Sequence, residues 1–131
     1  MNIKQKKDLS FGDRHEKNCQ PIIETITGKL NKTAPFHSYD FYNDTYFVEL
    51  KSRRCNKNTY PTTMVGYNKI KKATDPTKTY LFCFKFYDGL FYHIYNPKVI
   101  YEIKKGGRWD RNCLEISDYL YIPIEDLILI V

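Results

Sequence analysis

The sequence predicts an α/β fold with an N-terminal helix, a β-hairpin, a second helix and further C-terminal strands. Two observations carry this prediction. Apolar residues recur at helical spacing over residues 11–30, and two alternating apolar runs then flank Asn43-Asp44, a dipeptide typical of hairpin turns. An apolar strand pattern over residues 78–87 follows, so helical and strand segments alternate along the chain.

The composition is that of a single globular domain. The chain has 131 residues, of which 42% are hydrophobic and 27% charged, which is enough for one core. We predict one domain over residues 1–131, with residues 1–10 as a flexible polar arm. The four cysteines are widely spaced and form no zinc-type pair, which favours free thiols in a reducing compartment. Without a recognisable signal peptide or membrane-spanning run, the sequence predicts a soluble intracellular protein of the cytoplasm, nucleoid, nucleus or virion.

The first helix is predicted over residues 11–30. Its apolar positions fall within about 60° of Cys19 on a helical wheel of 100° per residue; they are Cys19, Ile22, Ile23, Ile26 and Leu30. Pro21 lies on the outward face, so we expect either a kink there or two short helices. Gly28 and the polar residues after it are expected to end the segment.

A hairpin is predicted next, with Asn43-Asp44 as its loop. The pairs that follow from this loop are Tyr42 with Thr45, Phe41 with Tyr46 and Asp40 with Phe47. Residues two apart share a face, so one face is predicted to carry Asp40, Phe47, Glu49 and Lys51. The opposite face would be a core-facing set of Tyr39, Phe41, Tyr46, Val48 and Leu50. Two carboxylates and a lysine are therefore expected together on one side of the hairpin.

The rest of the chain alternates between turn signals and apolar segments. Residues 52–60 are polar and basic and predict a loop over the hairpin. Pro61-Thr62-Thr63 is a helix-start signal for a second helix running to about Ala73. Residues 78–87 predict a central strand, and Asp88-Gly89 predicts a type I′ turn after it. Further strands are predicted over 90–95 and 99–104, and the apolar tail over 119–131 is expected to pack onto the core.

The hairpin motif resembles the signature of a known nuclease superfamily. Asp40, then eight residues, then Glu49-Leu50-Lys51 is similar to the motif of the PD-(D/E)xK superfamily, which includes restriction endonucleases, Holliday-junction resolvases and many viral and phage nucleases. Tyr39 stands where the superfamily often has proline. The order helix, hairpin, helix, strand matches the superfamily core over roughly the first two-thirds of the chain. The resemblance implies a restriction-endonuclease-like core with a mixed sheet, and a metal-dependent endonuclease acting on DNA.

The residues of this motif suit a metal site for phosphodiester hydrolysis. Mg²⁺ and Mn²⁺ prefer carboxylate oxygens and retain several waters, so two or three acids suffice. Asp40 and Glu49 are the predicted ligands, and the resemblance adds the backbone carbonyl of Leu50. Lys51 would orient the attacking water or stabilise charge on the phosphate. The alternative for Glu49 and Lys51 is an exposed same-strand ion pair that contributes little to stability.

A further acid is expected from the first helix, because many relatives supply one there. Asp13, Glu16 and Glu24 are the candidates. Glu16 flanks the apolar stripe at about 60° from its centre, whereas the other two lie beyond about 100°. Glu16 is therefore favoured as an additional catalytic or metal-binding residue, and an ordinary surface glutamate is the alternative.

The charge favours a polyanionic partner. The formal net charge is +6, and basic residues follow the Glu49-Leu50-Lys51 tripeptide directly. The predicted phosphate contacts are Arg53, Arg54, Lys57 and Lys69, with a solvated lysine-rich surface as the alternative. The predicted partner is DNA, linear or branched, recognised through backbone and shape, and relatives of this size imply a homodimer.

Two other functions stay open at this point. One is a catalytically inactive nucleic-acid-binding or virion structural protein with the same fold. The presence of Asp40, Glu49 and Lys51 disfavours it. The other is an interaction module in which the aromatic strands and the acidic C-terminal tail bind protein.

Overall fold

The computed structural model of the chain describes residues 16–106 and 117–131. Helix α1 covers residues 16–27, and helix α2 covers Tyr67–Lys71. The strands are β1 (Asn31–Lys32), β2 (Phe41–Tyr42), β3 (Tyr46–Ser52), β4 (Thr62–Gly66), β5 (Thr79–Phe86), β6 (Gly89–Ile94), β7 (Glu102–Gly106), β8 (Ser117–Pro123) and β9 (Ile128–Leu129). Two 3₁₀ turns lie at Lys57–Thr59 and Ile124–Asp126. The predicted arm over residues 1–10 lies outside the described residues.

The described strands form two sheets. The larger has six strands in the order β1-β2-β3-β5-β6-β9, and the smaller has three in the order β4-β8-β7. Strands β3 and β5 pair in parallel, which sets Glu49 beside Phe82 and Lys51 beside Phe84. Every other pairing in the larger sheet is antiparallel. The predicted α/β class with a mixed sheet is therefore confirmed.

The larger sheet is packed on both faces. Helix α1 covers one face through a cluster that includes Cys19, Ile23, Val48, Leu81 and Cys83. The smaller sheet covers the other face through a cluster that includes Val65, Phe82, Phe84, Leu120 and Ile122. Strand β3 contributes to both clusters, because alternate residues of a strand point to opposite faces. The motif strand therefore lies in the middle of three layers.

The first hairpin has a different register from the predicted one. Phe41 pairs with Val48 and Tyr42 with Phe47, so the predicted pairs are wrong by a shift of two residues. The loop is residues 44–45, because Asn43 itself starts the turn: its Oδ1 accepts hydrogen bonds from the backbone amides of Thr45 and Tyr46, at 2.9 and 2.8 Å. A two-residue shift returns each side chain to its own face, so Phe47, Glu49 and Lys51 still share one.

Tyr39 departs from the predicted core-facing set. Its ring belongs to the cluster beneath the smaller sheet, whereas Phe41 belongs to the cluster beneath α1. The amide of Asp40 donates to the Val48 carbonyl at 2.9 Å, and Val48 is also the partner of Phe41. Two residues thus lie opposite one, as in a β-bulge, and the alternation of side chains is interrupted there.

The predicted helix over residues 61–73 is wrong in its first half. Thr62–Gly66 forms strand β4, and α2 is confined to Tyr67–Lys71. The threonines and Val65 are β-branched, which favours extended backbone, and Thr63 and Val65 alternate inward against β8. The helix-start signal at Pro61 was outweighed by this strand pairing.

Helix α1 runs through Pro21 without a break, so the alternative of two short helices is wrong for residues 16–27. Gly28 follows the helix with φ of +78°, a conformation that L side chains rarely adopt, and its amide donates to the Glu24 carbonyl at 2.9 Å. Neither helix of the described residues is long and apolar enough to cross a membrane.

The second hairpin turns one residue earlier than predicted. Phe86 pairs with Gly89, so the loop is Tyr87-Asp88. Gly28 is the one residue with positive φ in the described ranges, which excludes the predicted type I′ turn here. Asp88 instead accepts a hydrogen bond from the Lys57 amide at 2.8 Å, which ties this loop to the segment after β3.

We expect Asn43→Ala to lower the free energy of unfolding by about 2 kcal/mol, because several net hydrogen bonds of about 1 kcal/mol each are lost. Besides the two turn amides, the Asn43 side chain bonds the carbonyls of Thr27 and Lys29 at 3.0 and 3.2 Å. Urea unfolding followed by circular dichroism measures the change. The matched control is Asp44→Ala at the neighbouring exposed position, and equal losses in the two variants would contradict the role given to Asn43.

Candidate active site

Four elements bring most of the predicted site residues to one end of the first hairpin. Glu16 comes from α1, Asp40 from the residue before β2, Glu49 and Lys51 from β3, and Lys69 from α2. Contacts link them in a chain from Glu16 through Asp40 to the strand that carries Glu49. Asp13, the alternative on the first helix, lies outside the described residues. Glu24 is engaged elsewhere, since its Oε2 accepts from the Leu30 amide at 2.7 Å.

Glu49 is a buried carboxylate between two lysines. It is 3% exposed, with Oε1 at 3.1 Å from Lys51 Nζ and Oε2 at 3.4 Å from Lys69 Nζ. Burial raises the pKa of Glu49; the Lys51 charge opposes that rise, the Asp40 charge adds to it and the Lys69 charge opposes it. Oε2 is buried and has no hydrogen-bond partner among the described residues, because Lys69 is close but not aligned to donate.

Asp40 is held by the backbone of β3. Its Oδ2 accepts from the Leu50 amide at 2.7 Å, and its own amide donates to Val48 at 2.9 Å. Thr33 bonds the Asp40 carbonyl through both its amide, at 3.1 Å, and its hydroxyl, at 3.0 Å. These contacts fix the carboxylate beside the strand of Glu49, in the place where the bulge interrupts the hairpin.

Glu16 shares a hydrogen bond with Asp40. Burial raises the pKa of Glu16 to about 7, helped by the Asp40 charge and by that bond, and Lys32 opposes the rise from 3.5 Å. Two adjacent carboxyls bonded to each other hold one proton between them more easily than two full charges. Glu16 therefore exchanges a proton near neutral pH.

The two lysines differ in their access to solvent. The Lys51 side chain is 38% exposed, whereas that of Lys69 is 16% exposed. Lys69 Nζ also donates to the Ser38 carbonyl, and the Lys69 carbonyl accepts from the Tyr39 hydroxyl. Lys69 was predicted as a phosphate contact, but the structure fixes it inside the site as a counter-charge for Glu49. Lys51 is the cation that a substrate could reach.

Arg53, a predicted phosphate contact, has its guanidinium held by contacts within the protein. Its Nη2 donates to the Met64 carbonyl, and its guanidinium lies 5.9 Å from the centre of the Phe84 ring. Burial lowers the pKa of Arg53. The guanidinium thus contacts both sheets, since the Met64 carbonyl belongs to β4 of the smaller sheet and the Phe84 ring to β5 of the larger one. Two neighbouring residues were also predicted as phosphate contacts. Arg54 is exposed, and Lys57 Nζ lies 5.0 Å from the centre of the Phe91 ring.

Sequence reasoning missed Lys32 and Thr33, which support the Glu16–Asp40 pair. Both lie in a polar segment between the predicted helix and the predicted hairpin, and no periodic signal marks that segment. Their role depends on β1 pairing with β2, which sets Lys32 opposite Phe41. A two-residue strand leaves too short a pattern to be recognised in the sequence.

The donor atoms of the site fit a hard divalent cation. No group of three His, Cys, Asp or Glu side chains in the described ranges could by itself enclose a metal. Mg²⁺ and Mn²⁺ do not need such a cage, because they retain waters and bind through one or two carboxylates. A buried carboxylate oxygen without a hydrogen-bond partner, close to a second carboxylate, is the arrangement that a cation would stabilise.

A mixed sheet covered by a helix, with Asp40 and Glu49-Leu50-Lys51 on its first hairpin, is the arrangement of the PD-(D/E)xK superfamily. The family model described as "Phage putative PDDEXK endonuclease" matches residues 5–129 of the chain. The chain therefore belongs to this family of phage endonucleases, and the resemblance found in the motif is confirmed. No curated protein and no solved structure matches the chain.

We expect Glu16→Gln to raise the free energy of unfolding at pH 8 in EDTA by about 1 kcal/mol, after allowance for solvent screening. A carboxyl whose pKa is raised to about 7 by folding favours the folded state while protonated. The wild type loses this stabilisation as the pH rises through 7. The gain in the free energy of unfolding from the Gln substitution should therefore be smaller at pH 5. Urea unfolding at both pH values measures it. A pH-independent effect, or an equal gain in the exposed variant Glu125→Gln, would contradict the account.

Proposed function

We propose that this chain hydrolyses DNA phosphodiester bonds as an endonuclease that depends on Mg²⁺ or Mn²⁺. Membership of the family gives an endonuclease in general terms. The observation that carries the finer proposal is the buried Oε2 atom of Glu49, which has no hydrogen-bond partner in the described ranges and lies beside two lysines and within the field of Asp40. A purely structural carboxylate at this depth would be expected to have all its lone pairs satisfied.

Asp40 and Glu49 would hold the cation, with the Leu50 backbone carbonyl as a third donor. When bound, such an ion lowers the pKa of an attacking water and neutralises charge that develops on the phosphate. The carboxylates are presented by rigid elements, since Glu49 is in the central strand β3 and Asp40 is bonded to its backbone. That rigidity keeps the donors in place before substrate arrives.

Lys51 and Glu16 are proposed to handle the substrate charge and the proton. Lys51 Nζ lies 3.1 Å from Glu49 Oε1, and the Lys51 side chain is partly exposed. The ammonium can therefore donate to a non-bridging phosphate oxygen or orient a water. Glu16 is bonded to Asp40 and has a pKa of about 7, which suits a group that accepts a proton near neutral pH. Lys69 acts through Glu49 and is a positioning residue, because its ammonium is bonded to Ser38.

The substrate is proposed to be DNA, recognised by its backbone and shape. The formal net charge of +6 favours a polyanion, and the predicted phosphate contacts Arg53, Arg54 and Lys57 follow β3. A homodimer would place two sites on two strands, which suits nicking or resolution of branched DNA.

Cleavage of supercoiled plasmid and of a four-way junction, in Mg²⁺ or Mn²⁺, tests the proposal. We expect Asp40→Asn to lower the cleavage rate by about a hundredfold or more, because one charged ligand is lost. Asp44→Asn removes an acid that is exposed on the same hairpin and should cleave like the wild type. Wild type that binds DNA but does not cut it under either metal would favour the inactive binding protein instead.

Metal binding has a second, independent measure in thermal unfolding. At a hundredfold excess over Kd, Mn²⁺ should raise the wild-type Tm by about 5–10 °C, since a ligand that binds only the folded state stabilises it by mass action. Asp40→Asn should lose most of this shift and Asp44→Asn should keep it. A shift of the same size in all three proteins would place the bound metal elsewhere.

A further inference from the structure

A cavity of about 560 Å³ opens between the segment after β3 and the smaller sheet. The lining residues that matter here are Arg53, Arg54, Lys57, Tyr60, Tyr121 and Ile124. Sites for small organic ligands fall in the range of about 300–1,000 Å³ and combine apolar walls with a few fixed polar groups. The cavity has the size and the mixed lining of such a site, and none of the proposed metal ligands lines it.

One side of the cavity is cationic. The Arg53 guanidinium carries five N–H donors, and its one hydrogen bond within the described residues goes to Met64. That bond and the Phe84 ring at 5.9 Å hold the guanidinium in a fixed place while leaving donors for a ligand. Lys57 is placed similarly over Phe91, at 5.0 Å. A fixed guanidinium with donors to spare is well suited to a phosphate group.

Two tyrosines, Tyr60 and Tyr121, also line the cavity. Tyr60 is 64% exposed, so its ring can accept a planar group. Tyr60 also borders a neighbouring cavity of about 660 Å³. Tyr121 lies against Gly106, where an added Cβ would be 2.5 Å from the tyrosine hydroxyl. Because Gly106 has no side chain, the Tyr121 ring can lie in the cavity wall at this position.

We propose that this cavity binds one unpaired nucleotide of the substrate, with its base on Tyr60 and its phosphate on the Arg53–Lys57 side. The inference rests on the proposed function, because it requires a nucleic-acid substrate. Lys51 and Arg53 are two residues apart along one extended segment, a distance of about 7 Å. A strand whose phosphate lies at Lys51 can therefore reach the cavity with a nearby nucleotide. Aromatic stacking tolerates any base, so the pocket would select unpaired structure rather than sequence.

Binding of two duplexes in EDTA tests the pocket. One duplex carries a single-nucleotide bulge, the other is fully paired, and both are labelled for fluorescence anisotropy at one salt concentration. We expect the wild type to bind the bulged duplex about tenfold more tightly, in line with the stacking of one base on an aromatic ring. Tyr60→Ala should lose that preference without weakening binding of the paired duplex, and Tyr60→Phe, which keeps the ring, should retain it.

The matched control is Tyr87→Ala, since Tyr87 is also 64% exposed but does not line the cavity. It should bind both duplexes like the wild type. Equal wild-type affinity for the two duplexes, or an equal loss on both in Tyr60→Ala, overturns the inference. Plasmid cleavage separates this outcome from the proposed function: cutting without bulge preference overturns the pocket alone, bulge preference without cutting supports the pocket and overturns the nuclease, and no DNA binding overturns both.

Discussion

The burial of the Glu49 carboxylate is the constraint on which the rest of the site depends. A charge in the middle of three layers is costly unless opposite charges lie close to it. Lys51 supplies one counter-charge from the same strand, and Lys69 supplies the other from the short helix α2. Helix α2 reaches Glu49 because β4 returns the chain along the smaller sheet immediately before it. The second sheet therefore both buries the acid and delivers the lysine that balances it.

The same arrangement explains why the site is assembled from so many elements. Asp40 is fixed by β3 through the Leu50 amide, and Glu16 is fixed by Asp40. Each of these carboxyl groups is held in position by contact with the next. The folded state therefore includes electrostatic repulsion among them. Proteins commonly retain such unfavourable charge where it serves a reaction, and the surrounding core compensates for it. Here that core is the pair of apolar clusters on the two faces of the larger sheet.

The fold class and the shared face of Glu49 and Lys51 could be predicted because strand periodicity is local and survives a two-residue register shift. Glu16 could be favoured from its position beside an apolar stripe. The strand at Thr62–Gly66 could not be predicted from the sequence, because its pairing with β8 joins distant parts of the chain. Nor could the inward turn of Arg53, because a charge pattern does not reveal which carbonyl a side chain will meet. Lys69 contacts Glu49 across twenty positions, which no local rule connects.

The pairing of β4 with β8 also determines at which stage of folding the site forms. Thr63 pairs with Ile122, 59 positions further along the chain, and this pairing closes the layer that covers Glu49. Contacts of such long sequence separation form late in folding because a large loop must be closed first. A partly synthesised chain would thus contain the whole motif, from Asp40 to Lys51, without the layer that buries the Glu49 carboxylate and without the neighbourhood that raises its pKa.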